Sequence, residues 1–239
     1  MQMKLVSIIV PIYNMETFVS RGVQCLKAQT YPNLEILLID DGSTDGSGIA
    51  CDREAQMDQR IRVYHTANRG AGPARNLGIQ EAAGTYLHFF DVDDFLYPNA
   101  ITRLVEAAEK TGVDLVVGGF SVDDHNRNQR WVPKADHQYR TGEQVRRHFY
   151  PYMWMFGEWG ILQSVCFKLF RTETIRKHAV SFPDLRRNQD EVFLVEFVHI
   201  MKDVYFIPDV LYRFSFCFHD VFHGDFRAVP NHLHTVFLP

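Results

Sequence analysis

The chain has 239 residues, 46% of them hydrophobic, and a formal net charge of -4. That much apolar material builds a sizeable core and excludes a disordered chain, while the slight acidity excludes a general nucleic-acid binder, whose surface has to be basic. The cysteines Cys25, Cys51, Cys166 and Cys217 form no C-x-x-C pair, which points to reduced thiols in a cytosolic protein.

Leu5 to Pro11 reads as a first strand. The run is too short to span a bilayer and carries no cleavage signal, so the expectation is a protein without a leader or a membrane anchor. Asn14 is placed to cap a helix from Glu16 to Gln29, with Phe18, Val23, Cys25 and Leu26 facing inward. A second strand runs from Leu34 to Asp40, a turn follows at Gly42 to Gly46, and a polar helix reaches Gln56. Ile61 to His65 is a third strand. Gly70 to Pro73 opens a helix from Ala74 to Ala83, and Thr85 to Phe90 is a fourth strand. This alternation predicts an α/β fold with a mainly parallel sheet covered by helices on both faces. Beyond Pro98 come a helix to Thr111, a strand from Asp114 to Phe120, a helix from Glu191 to Met201 and a strand from Val204 to Pro208. No pattern emerges from Ser121 to Thr141. Tyr152, Trp154, Phe156 and Trp159 fit either sugar stacking or core packing, and His219 and His223 have helical ligand spacing but no third ligand.

Two of these strands end in acids. Leu34 to Asp40 runs into Asp41, and Thr85 to Phe90 runs into Asp91-Val92-Asp93-Asp94. Acids there lie at the carboxyl edge of a sheet, where open α/β folds bind ligands. Carboxylates so close repel unless a cation joins them, which predicts a divalent metal and a phosphorylated ligand. Alternate side chains of an extended D-x-D point the same way, so Asp91 and Asp93 can serve one ligand. Arg75, in the first turn of its helix, is an awkward cation for the helix dipole, and a bound diphosphate would explain it. Asp190 opens the late helix, as a dipole complement or as a general base. Pro11-Ile12-Tyr13-Asn14 offers no glycine-rich phosphate loop, which argues against a nucleotidyltransferase or a dinucleotide dehydrogenase.

Five segments in order resemble the family 2 glycosyltransferases. They are Val6 to Asn14, Gln29-Thr30-Tyr31, Leu38 to Asp45, Asn68-Arg69-Gly70 with Ala74 to Gly78, and Gly84-Thr85-Tyr86 leading to Asp91-Val92-Asp93-Asp94. The resemblance implies a GT-A fold: a Rossmann-like, mainly parallel sheet with helices on both faces and a smaller acceptor-side subregion. It divides the chain into a nucleotide-sugar-binding half (1–120), an acceptor-side half (121–215) and an atypical tail (216–239). By that resemblance Pro11, Tyr13 and Asp41 contact the nucleotide base, Asn68 and Arg75 complete the donor site, Asp91 sits near the ribose and Asp93 binds Mn²⁺ or Mg²⁺. Asp190 is the base. Gln189 stands where the family has Glu, which makes Glu191 the alternative. Ser164 to Arg171 looks like a segment bordering the acceptor. The implied reaction is inverting transfer from a nucleotide-sugar, a UDP-sugar, to a hydroxyl of a glycan or lipid-linked acceptor in bacterial surface-polysaccharide synthesis. The implied setting is cytoplasmic, with peripheral membrane association and a homo-oligomer left open. The alternative is a non-catalytic sugar-nucleotide-binding subunit of a glycan assembly complex.

Overall fold

The computed structural model describes residues 3–124, 127–131, 138–147, 161, 164–185 and 187–215. The aromatic cluster from Tyr152 to Trp159, His219, His223 and the tail lie outside the described residues.

The strands with continuous apolar runs form the center of the molecule. β1 (Val6–Ile12), β2 (Leu34–Asp40), β3 (Ile61–His65) and β4 (Tyr86–Phe89) pair in the order β3-β2-β1-β4, all parallel. Every residue of β2 and β4 is buried, as strands covered on both faces must be. Between these strands run α1 (Glu16–Lys27), α2 (Ser47–Met57) and α3 (Ala71–Glu81). α1 buries Val19, Gly22, Val23 and Leu26, a stripe at helical spacing, while Phe18 and Cys25 are partly buried against the core.

The sheet continues past β4 with mixed polarity. β5 (Phe95–Leu96) and α4 (Ala100–Thr111) follow the acid turn. Next come β6 (Leu115–Asp124), β7 (Arg127–Trp131), β8 (Gln138–Thr141) and α5 (Gly142–Arg147). β9 (Lys168–Arg171) leads into α6 (Thr172–Lys177), and α7 (Gln189–Ile200) precedes β10 (Asp203–Ser215). β9 lies antiparallel between β4 and β6, and β10 runs parallel to β6 and antiparallel to β5 and β8. The result is the α/β sheet the sequence led to, parallel over β3-β2-β1-β4 and mixed beyond it.

Three local expectations change. Asn14 caps nothing: the cap position of α1 is Met15, and Asn14 adopts φ 52°. Its side-chain oxygen accepts the Thr44 N–H at 2.8 Å and its own N–H donates to Ser43 Oγ at 3.0 Å, so it ties the turn after β1 to the turn after β2. α3 starts at Ala71, with Pro73 inside its first turn, where a missing N–H costs nothing. The last strand passes through Pro208 and reaches Ser215, with its register to β6 slipping between Phe206 and Tyr212.

Candidate active site

Because β1, β2 and β4 are parallel, their carboxyl ends open on the same edge of the sheet. A cavity of about 440 Å³ lies there, lined by Pro11, Tyr13, Asp41, Asn68, Arg75, Asp91 and Asp93 among others. The structure thus brings together every residue that the sequence assigned to the donor and the metal. Tyr13 is 45% exposed and presents its ring at this edge.

Asp41 sits one residue past β2, and its N–H donates to the Ile12 carbonyl at 2.8 Å. Its carboxylate is buried and accepts the backbone N–H groups of Arg69 at 2.9 Å and Gly70 at 2.7 Å. In this structure, then, it holds the loop between β3 and α3 in place. Gly42 follows at φ 69°, and a Cβ there would collide with the Asn68 N–H, so the two loops touch where only glycine fits.

The acids after β4 form a turn, closed by the Asp94 N–H on the Asp91 carbonyl at 3.0 Å, instead of the extended segment expected. Asp91 and Asp93 still line the same cavity, while Asp94 turns inward. Asp94 accepts the Tyr212 hydroxyl at 2.6 Å and the Ser215 N–H at 2.7 Å, and burial pushes its carboxyl up to about 8. Arg21 of α1 donates to the Asp93 carbonyl at 2.5 Å.

Arg75 is buried, and its guanidinium bridges two carboxylates distant in sequence. Nη2 donates to Asp91 Oδ1 at 2.8 Å and Nη1 to Asp190 Oδ1 at 3.0 Å. With α3 starting at Ala71, Arg75 is its fifth residue, past the first turn, and its charge answers two acids within the protein. Asp190 is set by the first turn of α7, and its other oxygen lies 3.4 Å from the Val165 N–H. The ion pair falls to Asp190; Glu191, in the same turn, makes no bond to Arg75. Asp91 Oδ2 lies 3.4 Å from the Cys166 Sγ, whose thiol burial pushes well up. Tyr212 and Arg21 carry no sequence signal for this site, because each reaches it only through the fold, while Cys166 lies in the segment that the resemblance sets beside the acceptor.

Asp93, the acid that the resemblance assigns to a metal, lines this cavity beside Asp91. Among the described residues no group of three or more His, Cys, Asp or Glu could hold an ion. One acid plus diphosphate oxygens and water suits a hard cation that keeps part of its hydration shell.

The profile described as Glycosyl transferase family 2 matches residues 7–177. This chain belongs to that family. It is 32% identical over 216 residues to the glycosyltransferase GlyG of Streptococcus pneumoniae, covering 88% of this chain and 70% of GlyG. S. aureus TarS, solved in complex with UDP-GlcNAc, superposes with a TM-score of 0.75 at 21% identity, over 90% of this chain and 59% of that one. The mannosyltransferase PcManGT of Pyrobaculum calidifontis, solved with GDP-Man and Mn²⁺, gives 0.62 at 18% identity, over 88% of this chain and 56% of that one. The likeness to solved structures shows the fold, GT-A. The chain spans little more than half of those two solved chains.

Proposed function

We propose that this family member is an inverting glycosyltransferase that moves a sugar from a UDP-sugar to a hydroxyl of a glycan or lipid-linked acceptor in bacterial surface-polysaccharide synthesis. The observation that carries the reading is one cavity at the sheet edge, lined by the donor-side residues and joined through Arg75 to Asp190, 115 positions away in sequence. The UDP-GlcNAc complex of TarS, which shares the fold, supports a nucleotide-sugar here.

In this reading Tyr13 and Pro11 pack on the base, Asp91 accepts from the ribose, and Asp41 holds the Asn68-Gly70 loop that closes the base pocket. Asp93 would hold Mn²⁺ or Mg²⁺, which neutralizes charge on the departing diphosphate when bound. Asp190 takes the acceptor proton as the hydroxyl attacks the anomeric carbon. A lipid-linked acceptor would bring the protein to the inner face of the cell membrane. Among the described residues no helix is long and apolar enough to cross it.

Calorimetry with UDP, with and without Mn²⁺, tests the assignment. Asp93→Ala should lose the metal-dependent part of UDP binding, while Asp190→Asn should keep it and lose turnover by roughly 10²–10⁴-fold. Unchanged UDP affinity in the Asp93 variant would remove the metal role. UDP binding without turnover on any acceptor, water included, would favor the non-catalytic subunit. A thermal-shift screen of UDP- and GDP-sugars with Mn²⁺ fixes the donor class.

A further inference from the structure

Asp190, the proposed base, sits where burial and a neighboring carboxylate both favor its protonated form. Burial pushes its carboxyl up, and the carboxylate of Asp91 on the same bridge pushes in the same direction. The groups that face it come from three elements. α3 supplies Arg75, the end of β4 supplies Asp91, and the segment entering β9 supplies Cys166 and Lys168. Lys168 is fully buried and donates to the Ser164 carbonyl, and burial holds its amine well below the ordinary lysine range. Cys166 is buried and its thiol is held up as well, so it brings no charge near neutral pH. Arg75 is the cation that hydrogen-bonds Asp190 directly, and its two Nη groups are divided between Asp190 and Asp91. At 3.0 and 2.8 Å both bonds are of ordinary length, so one guanidinium serves both acids.

We propose that Arg75 is a positioning residue that couples the donor pocket to the base: it keeps the Asp190 carboxylate ionized and aimed, and Asp91 competes for the same guanidinium. Donor binding at Asp91 therefore reaches Asp190 without touching it. The coupling follows from the bridge geometry, and its part in catalysis rests on Asp190 being the base.

Two substitutions push the shared charge in opposite senses. Arg75→Gln removes the cation, and Asp91→Asn removes the competitor while keeping shape. Titration of the Asp190 side chain by carboxyl-carbon NMR in aspartate-labeled protein, assigned by its loss in Asp190→Asn, reads the effect without acceptor or metal. Asp190 should titrate about one pH unit or more higher in Arg75→Gln and lower in Asp91→Asn. Arg75→Lys, a point charge that cannot fork between both acids, should fall between wild type and Arg75→Gln. It gives the same reading if the neutral variant does not fold. An unmoved Asp190, or movement in the same direction in Arg75→Gln and Asp91→Asn, overturns the coupling. In the transfer assay the acid limb of kcat/KM should follow the same order. Opposed NMR shifts together with full turnover in Asp190→Asn would leave the coupling standing and remove the base assignment.

Discussion

Asp41 shows what the fold adds to a residue identified in sequence. An Asp after a buried strand reads as a ligand for the base, and in the fold its two oxygens also take the N–H groups of Arg69 and Gly70. Bonds between a carboxylate and backbone donors are each worth about 1.5–3 kcal/mol, enough to set the shape of a short loop. Arg75 was legible as a misplaced cation, yet its partners lie 16 and 115 positions away, and only the fold supplies them. His65 is a third case, at the end of β3. Its ring bonds Asp40 at 2.8 Å and Asp52 at 3.1 Å, and the hydrogen bond to Asp40, foremost, raises its pKa above the ordinary histidine value. A raised folded pKa gives stability that is fully present below the unfolded value, about 6.5, and is lost as pH rises through the folded value. Urea unfolding of wild type and His65→Gln across this range should show a wild-type advantage at acid pH that narrows toward alkaline pH. A constant gap would mean that the charge on His65 contributes nothing; the ring is half exposed, so the effect is modest.

Among the elements, the parallel strands were readable because burial on both faces writes itself as uninterrupted apolar runs. β9 was not readable as a strand. It begins with Lys168, a buried lysine in mid-sheet, and its neighbors β4 and β6 run opposite to it. The sequence reading ends β10 at Pro208; in the fold the register to β6 shifts across the proline, between Phe206 and Val210 and again before Tyr212, and pairing continues to Ser215. α1 was found, but not what it packs against. A Cβ on Gly22 would collide with the Val92 carbonyl oxygen, so the helix lies directly on the acid turn, which Arg21 also holds by the Asp93 carbonyl. Gly22→Ala should therefore act on the donor site. Because the obstacle is backbone, relief requires moving helix or turn, at a cost of about 1–3 kcal/mol. The expected result is a lower unfolding midpoint together with weaker UDP binding by calorimetry. Weaker folding with unchanged UDP affinity would show that the turn keeps its geometry when the helix shifts.

Across the whole molecule, β10 reaches back to the acid turn beside the site. The second half of the chain returns to the sheet edge at β10, where Tyr212 is fully buried and its hydroxyl sits between the two halves. It donates to Asp94 Oδ2 at 2.6 Å and lies 3.3 Å from the Asp91 N–H, while Ser215 donates its own N–H to Asp94 Oδ1 at 2.7 Å. The acid turn after β4 is thus anchored by residues 118 to 121 positions downstream, and no local pattern in either segment announces the contact. Tyr212→Phe isolates it. The ring stays packed against Phe90 and Phe214, so the change removes one hydroxyl and leaves Asp94 Oδ2 and the Asp91 N–H short of a buried partner. An unmet buried polar group costs about 1–3 kcal/mol, which should appear as a lower urea midpoint at unchanged slope. If the anchor also sets the turn, UDP affinity falls in the same variant, because Asp91 and Asp93 both hang on that turn. Loss of stability with intact UDP binding would assign Tyr212 to the core alone, and no loss of either would show that the strand end and the acid turn are not energetically joined.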